Sequence, residues 1–118
     1  MQYMIMNYTP PSDYADVDAV IAAAEGDVWG AYTQALIDAG VFVSGNALYP
    51  TYAATTLRVR SDGRDIQDGP YAASKEQLGG YYIIDVPDLD TALNWAALNP
   101  AATSGAVEVR PVVMRGGA

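Results

Sequence analysis

Hydrophobic residues in the first third of the chain recur with two different periods. The run Gln2–Tyr8 is rich in Met, Ile and Tyr and stops before two prolines, which predicts a first strand. Ser12 and Asp13 then offer side-chain oxygens for the start of a helix. Over residues 16–39 apolar positions return every three or four residues, which predicts an amphipathic helix that ends at Gly40.

Gly26-Asp27 interrupts this helical pattern. A glycine inside a helix costs about 1 kcal/mol relative to alanine, whereas aspartate is a good N-cap residue. We therefore predict a short turn at this point and a main helix over residues 27–39.

The middle of the chain predicts two strands and a hairpin. Val41–Val43 is an apolar run, and Ser44-Gly45-Asn46 is expected to break it. Thr55–Arg60 alternates in polarity, and the Asp-Gly turn within Ser61–Arg64 predicts a hairpin that returns through residues 65–70.

The last third predicts a strand, a helix and a strand. In order these are Tyr81–Val86, a helix capped by Asp88 and ended by Asn99-Pro100, and Ala106–Arg115 with a frayed tail at 116–118. Gly79-Gly80 at the entrance of the first of these strands indicates a bulge or a close approach of another backbone or of a ligand.

The order of these elements predicts the fold class. Strand, helix, strand, inserted hairpin, strand, helix and strand is the pattern of a ferredoxin-like α+β sandwich, in which the helices cover one face of an antiparallel sheet. Several strands are apolar on both sides, so a monomer would expose the other face. We therefore expect a homodimer with two-fold symmetry.

Composition narrows the possible chemistry. With 118 residues the chain fits one domain, 1–118, and it contains neither Cys nor His. Disulfides, thiolate metal sites and the Ser-His-Asp arrangement are therefore excluded, and we expect neither a metal nor another cofactor.

Charge and hydropathy restrict the partners. The formal charge is −8, which disfavours nucleic-acid binding because a phosphate backbone would be repelled. The N-terminus lacks the basic segment of a signal peptide, and no apolar run reaches the ~20 residues that span a bilayer. We expect a soluble, cytoplasmic protein with no membrane contact.

Three motifs resemble those of a known family. They are Asp68-Gly69-Pro70-Tyr71, Lys75-Glu76-Gln77-Leu78-Gly79-Gly80-Tyr81-Tyr82, and the closing Glu108-Val109-Arg110-Pro111. Together they look like the YCII-related family, specifically its DGPF-domain branch. The resemblance implies a dimeric α/β-barrel fold and a small homodimeric protein without an assigned reaction.

This sequence also departs from the family's pattern, and some properties of its members therefore do not apply to it. Some relatives are associated with sigma factors of the extracytoplasmic-function type, and others in the broader group are enzymes that use a His-Asp pair. That mechanism cannot apply to a chain without His. Tyr71 stands in place of the Phe of the motif, and Asn46 stands where the branch often has Glu.

Asp68 is the candidate catalytic residue, and it has two interpretations. Its carboxyl group can serve as an acid-base group, or it can accept backbone N–H bonds within a turn. Gly69 permits a positive φ and Pro70 fixes the next φ, so a rigid corner is expected in either case.

A second set of residues suggests ligand binding. If Arg58, Arg60 and Arg110 line a dimer cavity, they can hold a small carboxylate or phosphate compound, with an apolar body stacked near Tyr81 or Tyr82. The alternative is an internal ion pair between Glu108 and an arginine. Ser44 is included as a ligand-binding candidate, although a turn hydroxyl is its simpler role because no base is available to activate it.

Two function classes remain open. The first is a ligand-binding or regulatory module for a small anion, consistent with the missing His. The second is a cofactor-free enzyme that uses Asp68 as its acid-base group. The position of Asp68, in a cavity or against backbone amides, distinguishes them.

Overall fold

The computed structural model describes residues 1–10, 16–72 and 74–115. Within these ranges the strands are β1 (Gln2–Thr9), β2 (Phe42–Ala47), β3 (Thr55–Arg60), β4 (Gly63–Asp68), β5 (Gln77–Asp85) and β6 (Ala106–Pro111). The helices are α1 (Val17–Glu25), α2 (Asp27–Asp38), α3 (Leu89–Ala97) and α4 (Ala101–Ser104), and a 3-10 turn occupies Thr51–Ala53. The predicted helix-start oxygens of Ser12 and Asp13 and the predicted frayed tail at 116–118 lie outside the described residues.

Four strands form one antiparallel sheet in the order β2-β5-β1-β6. Strands β3 and β4 pair only with each other, as a hairpin inserted between β2 and β5. Without this hairpin, the strand order and the two helical crossovers are those of a ferredoxin-like α+β fold. The predicted fold class is therefore confirmed.

The core lies on one face of the sheet. Along β1 and β5 every second side chain is buried, which is the alternation expected of a sheet covered on one side. The buried residues of the core are Tyr3, Ile5, Tyr82, Ile84 and Val86, with Tyr32 and Leu36 from α2 and Ala92 and Ala96 from α3. Full burial of each large side chain contributes roughly 1.5–3 kcal/mol.

The predicted helical segment 16–39 is divided into two helices. Asp16 caps α1, where its carboxylate accepts a hydrogen bond of 2.8 Å from the backbone N–H of Ala19. Gly26 has an extended backbone and joins α1 to α2, so Asp27 lies in the first turn of α2 and is not its cap. Gly40, at φ 73°, follows the end of α2 as predicted.

The prediction that Ser44-Gly45-Asn46 breaks the second strand is wrong. These three residues continue β2 and pair with Ile83, Tyr82 and Tyr81 of β5. Glycine is required at Gly45 because a Cβ atom there would lie 2.9 Å from the ring of Tyr82. The residue that resembled a strand breaker instead makes room for a ring on the neighbouring strand.

The two glycines in β5 behave as predicted. Asn7 of β1 pairs with Gly80 and Tyr8 pairs with Leu78, so Gly79 is the extra residue of a β-bulge. A Cβ atom on Gly80 would lie 2.7 Å from the carbonyl oxygen of Asn46, so the backbone of β2 approaches closely here.

The C-terminal elements match the prediction with one change of length. Asp88 caps α3 as expected, since its carboxylate accepts from the backbone N–H of Thr91 at 2.8 Å. Strand β6 ends at Pro111, four residues earlier than predicted: the N–H of Val112 still donates to the carbonyl oxygen of Gln2 at 2.9 Å, and the next residue, Val113, is 87% exposed.

Candidate functional site

A cavity of about 220 Å³ lies on the helical side of the sheet, beside the edge formed by β2 and β5. Helices α1 and α2 cover it, and the loop after β2 closes one end. Its apolar and aromatic lining comes mainly from Val20, Ala23, Ala24, Trp29, Phe42, Leu48, Tyr49, Leu78, Tyr81 and Tyr82. Its polar lining includes Asn7, Thr9, Thr33, Asn46, Thr51 and Gln77.

Small residues create this space. Gly45 and Ala47 of β2 stand opposite Tyr82 and Gly80 of β5 and therefore face the helices with little side-chain bulk. On the other side, α1 contributes small side chains such as Ala23. A sheet edge and a helix that both lack bulk leave a gap between them, because the surrounding side chains are not long enough to fill it.

Tyr82 is the centre of an aromatic cluster at this cavity. The ring of Trp29 is nearly parallel to that of Tyr82, with an interplanar angle of 9° and a centroid separation of 6.4 Å. Tyr32 and Phe42 meet Tyr82 edge-on, at 5.3 and 6.3 Å. The cluster fixes the orientation of the Tyr82 ring and presents flat aromatic surface to the cavity.

The Tyr82 hydroxyl has a defined partner. It lies 2.6 Å from the Oγ1 of Thr33, and that Oγ1 donates its proton to the carbonyl oxygen of Trp29 at 3.0 Å. Because a threonine hydroxyl has one proton, Tyr82 must be the donor in the shorter bond. Burial raises the pKa of Tyr82, so the phenol stays protonated at neutral pH.

The chemistry available in the cavity is that of shape and hydrogen bonding. Among the lining residues that the structure describes, none carries a formal charge. The amide of Asn46 donates to the hydroxyl of Tyr81 at 2.9 Å, but these two side chains lie on the sheet face opposite the helices and do not enter the cavity. Within the cavity, the Oδ1 of Asn7 accepts from the buried amide of Asn99 at 2.7 Å. Such a lining favours an apolar ring with one or two polar substituents.

The predicted ligand-binding residues separate into three places. Tyr81 and Tyr82 both border the cavity, but the alternation along β5 turns only the Tyr82 side chain toward the helices. Ser44 pairs with Ile83, and both lie on the sheet face opposite the helices. Arg58 and Arg60 lie on the exposed hairpin, whereas Arg110 lies on β6 at the far edge of the main sheet. Within one chain, therefore, the three arginines do not form a common site.

Each predicted arginine has its own neighbour. Arg110 forms an ion pair with Glu108 at 2.6 Å, which is the internal pair that the sequence offered as the alternative to an anion site. The Arg110 guanidinium holds the pKa of Glu108 below its ordinary value. Arg60 lies 3.5 Å from Asp65, and the guanidinium of Arg58 lies over the ring of Tyr71 at 4.9 Å.

Asp68 ends β4 and is exposed. Its carboxylate has no hydrogen-bond partner among residues 1–10, 16–72 and 74–115. The rigid corner is held by the neighbouring residue: the N–H of Gly69 donates to Ala54 at 2.8 Å, and its carbonyl oxygen accepts from Thr56 at 2.8 Å. The backbone of Gly69, at φ 101°, and not the carboxyl group of Asp68, therefore maintains the turn.

Sequence reasoning missed Trp29, Thr33 and Asn7. Trp29 and Thr33 fall within a helical repeat, where an aromatic residue and its neighbours suggest ordinary core packing. Asn7 did carry a signal, because it is a polar residue at a position where the strand alternation points inward. A buried polar residue in such a position requires a hydrogen-bonding partner, which the structure identifies as Asn99.

Two further properties concern the described part of the chain. No group of three or more acidic side chains there is arranged to hold a metal ion. None of its helices combines the length and the hydropathy needed to cross a membrane.

Comparisons with known proteins agree with the fold. A protein of Rhizobium meliloti (strain 1021), described only as uncharacterised, is 41% identical over 80 residues, which cover 66% of this chain and 64% of that protein. Among solved structures, the chain resembles 5-chloro-2-hydroxyhydroquinone dehydrochlorinase from Burkholderia phenoliruptrix, in complex with 2,5-dihydroxybenzoquinone. The two structures superpose with a TM-score of 0.53 and share 16% sequence identity. The match covers 96% of this chain and 94% of the other. The family model described as the YCII-related domain matches residues 1–114, and the chain therefore belongs to the YCII-related family.

Proposed function

We propose that this protein binds a small, planar, uncharged aromatic compound in the cavity beside β2 and β5. The observation that supports this proposal is the cavity lining. It places the stacked rings of Trp29 and Tyr82 beside apolar side chains and includes no charged group among the described residues. Aromatic side chains interact favourably with a second ring, and this preference adds to the gain from burying apolar area.

The size of the cavity limits the ligand. Cavities of ~150 Å³ lined by apolar side chains hold one benzene ring in other proteins. About 220 Å³ therefore suits a single ring with a few substituents. The solved dehydrochlorinase, which shares the fold, was captured with 2,5-dihydroxybenzoquinone, a ligand of this size class.

This proposal changes the ligand chemistry that the sequence suggested. A small anion would need a cation in the site, and Arg110 is paired with Glu108 while Arg58 and Arg60 lie on the hairpin. The anionic ligand and the acid-base role of Asp68 remain alternatives. The same binding experiment decides the first when it includes benzoate and phenyl phosphate beside neutral phenols and quinones, whereas the second requires a comparison of the activity of the wild type and Asp68→Asn.

Trp29 provides a direct readout of binding. In a Trp95→Phe variant the remaining tryptophan lines the cavity, so a neutral phenol or quinone should quench its emission with a saturable curve. We expect micromolar to millimolar affinity for neutral single-ring compounds and at least about tenfold weaker binding of the anions. Saturable binding only of the anions would contradict the proposal.

A matched pair of variants on α1 locates the site. Ala23 lines the cavity, whereas its neighbour Ala22 is exposed. Ala23→Leu fills part of the space and should weaken binding by about tenfold or more, whereas Ala22→Leu should leave binding unchanged. Equal effects of the two variants would mean that the ligand binds elsewhere.

We also propose that the protein is a cytoplasmic homodimer of the DGPF-type branch. The proposal is supported by the sheet face opposite the helices, which bears the half-buried residues Met4, Met6 and Ile83 and has no covering layer among the described residues. A stable dimer that covers such a face should bury at least on the order of 2,000 Å² in total. The motif at residues 68–71 supports the branch assignment.

A further inference from the structure

The β3–β4 hairpin stands apart from the main sheet. Leu57 and Ile66 form a cross-strand pair, and Val59 lies on the same face. These three apolar side chains are 48%, 58% and 79% exposed, respectively. An isolated two-stranded hairpin is at best marginally stable in water, so a hairpin with an uncovered apolar face needs a surface to pack on.

The overall dimensions reflect this projection. The Cα radius of gyration is 15.9 Å, whereas about 13.5 Å is expected of a compact chain of this length. The principal extents, 48 × 39 × 20 Å, describe a flat and elongated molecule. An arm that extends from the body accounts for the difference.

The segment that carries the hairpin has the composition of a protein interface. Residues 48–72 contain neither Lys nor Glu, whereas Tyr49, Tyr52 and Tyr71 are exposed by 62%, 61% and 74%. Tyrosine and arginine are enriched at interfaces, and lysine and glutamate are depleted there relative to the rest of a protein surface. The hairpin carries three arginines, Arg58, Arg60 and Arg64, and three aspartates, Asp62, Asp65 and Asp68, so its formal charge is zero in a chain that carries −8 overall.

The complementary surface is on the same chain. Residues 1–57 contain no basic residue and six acidic ones, and five of those acids lie in or beside α1 and α2, at Asp16, Asp18, Glu25, Asp27 and Asp38. These two helices also expose apolar residues, with Ile21 at 44%, Val28 at 67% and Ile37 at 47%. The apolar face of the arm is thus complementary to the exposed apolar residues of this surface, and an arm without net charge adds nothing to the negative charge of the two helices.

We propose that the β3–β4 hairpin is an exchanged arm that docks on α1 and α2 of a second copy of this chain. Under two-fold symmetry each copy gives one arm and receives one, so a single pair of complementary surfaces is used twice. The inference rests on the homodimer proposed above and does not require that the cavity hold a ligand.

The first test uses two double variants with the same change of charge. Val59→Asp with Ile66→Asp places two carboxylates on the arm, and Leu89→Asp with Leu98→Asp places two at exposed positions at the start of α3 and directly after its end. Since all four positions are exposed, we expect both variants to fold. Sedimentation velocity should show the dimer weakened by at least about tenfold in the arm variant and by less than about threefold in the α3 variant.

The outcomes separate the two proposals. If the wild-type protein remains monomeric at about 100 µM, its dissociation constant for a dimer is weaker than about 100 µM. This result would overturn both the homodimer and the arm. A wild-type dimer whose dissociation constant is unchanged in the arm variant would overturn the arm alone.

A second test locates the arm. The chain has no cysteine, so Val59→Cys provides one site for a thiol-linked photo-cross-linker. A dimer mixed from isotopically light and heavy copies should give light–heavy cross-links between residue 59 and peptides from residues 16–38. Cross-links confined to one copy, or reaching other elements of the second copy, would overturn the proposal.

Discussion

At the scale of single residues, the cavity depends on Tyr82. Its ring contacts three other aromatic side chains, its hydroxyl donates to Thr33, and its neighbour across the strand pair must be glycine. These contacts hold the ring in one orientation before any ligand arrives. A preorganised aromatic surface reduces the ordering cost of binding.

The hydrogen-bond chain at Tyr82 predicts unequal effects of two conservative substitutions. Thr33→Val leaves the buried Tyr82 hydroxyl without its acceptor and should cost about 1–3 kcal/mol of unfolding free energy. Tyr82→Phe should cost less, because the Thr33 hydroxyl keeps its bond to the Trp29 carbonyl. The double variant should be more stable than the sum of the single effects predicts. Urea denaturation of the four proteins measures this, and strict additivity would show that the two hydroxyls do not interact.

The corner at residues 68–70 gives a second prediction at this scale. Because Gly69 has φ 101°, Gly69→Ala should destabilise the protein by about 1–2 kcal/mol. Asp68→Ala should change stability by less than about 0.5 kcal/mol, since its exposed carboxylate has no partner in the described residues. Thermal melting of the two variants compares them directly. A larger loss in Asp68→Ala would restore the turn-capping role of its carboxyl group.

At the scale of secondary-structure elements, α3 is fixed at its start by one carboxylate. Asp88 accepts from both the backbone N–H and the hydroxyl of Thr91, at 2.8 and 2.6 Å. These hydrogen bonds lower the pKa of Asp88 from its ordinary value of 3.8. Since the pKa is lower in the folded protein, the ionised carboxylate stabilises the fold above the unfolded value, and this stabilisation is lost as the pH falls through the folded value.

The cap therefore predicts a pH-dependent difference between two proteins. Asp88→Ala should lower the melting temperature by about 3–5 °C at pH 6, because the helix loses its N-cap. The difference from wild type should shrink as the pH falls below 3.8 and on through the lower pKa of the folded protein, where the cap becomes protonated. Asp90→Ala, in the first turn of the same helix, is the matched control. A difference that does not change between pH 6 and pH 3 would exclude the contribution of the charge.

The pattern of the sequence predicted whole elements better than the places where elements meet. The strand and helix order, the Asp88 cap and the Gly79-Gly80 irregularity all follow from local spacing and local chemistry. The continuation of β2 through Gly45 does not, because the reason for that glycine is a ring on another strand. The positions of Trp29 and Thr33 at the site could not be predicted from local spacing either, because both contact Tyr82, which is 53 and 49 residues away in sequence.

At the scale of the whole molecule, net charge and site charge differ. The protein carries −8 overall, but the described lining of the cavity carries none. Long-range repulsion therefore acts on anions near the surface, whereas a neutral ring entering the cavity is insensitive to it.

This difference predicts how binding depends on salt. Affinity for a neutral phenol, measured by titration calorimetry, should change by less than about twofold between 50 and 500 mM NaCl, because no charge pair is formed or screened. Benzoate, which is repelled by the acidic surface, should bind more weakly and gain affinity as salt rises. Loss of affinity for benzoate with rising salt would instead indicate an attractive cation in the site.

Helix α1 covers the cavity, yet none of its nine residues is buried. A helix with so little packing has a small free energy of local opening, whereas β1 and β5 open only when the whole domain unfolds. In the monomer, where no arm lies on α1, amide hydrogens of residues 17–25 should accordingly exchange with solvent much faster than those of residues 2–9. Ligand entry and exit would then be set by the opening rate of this helix, so residence times can be short even where the aromatic contacts are favourable.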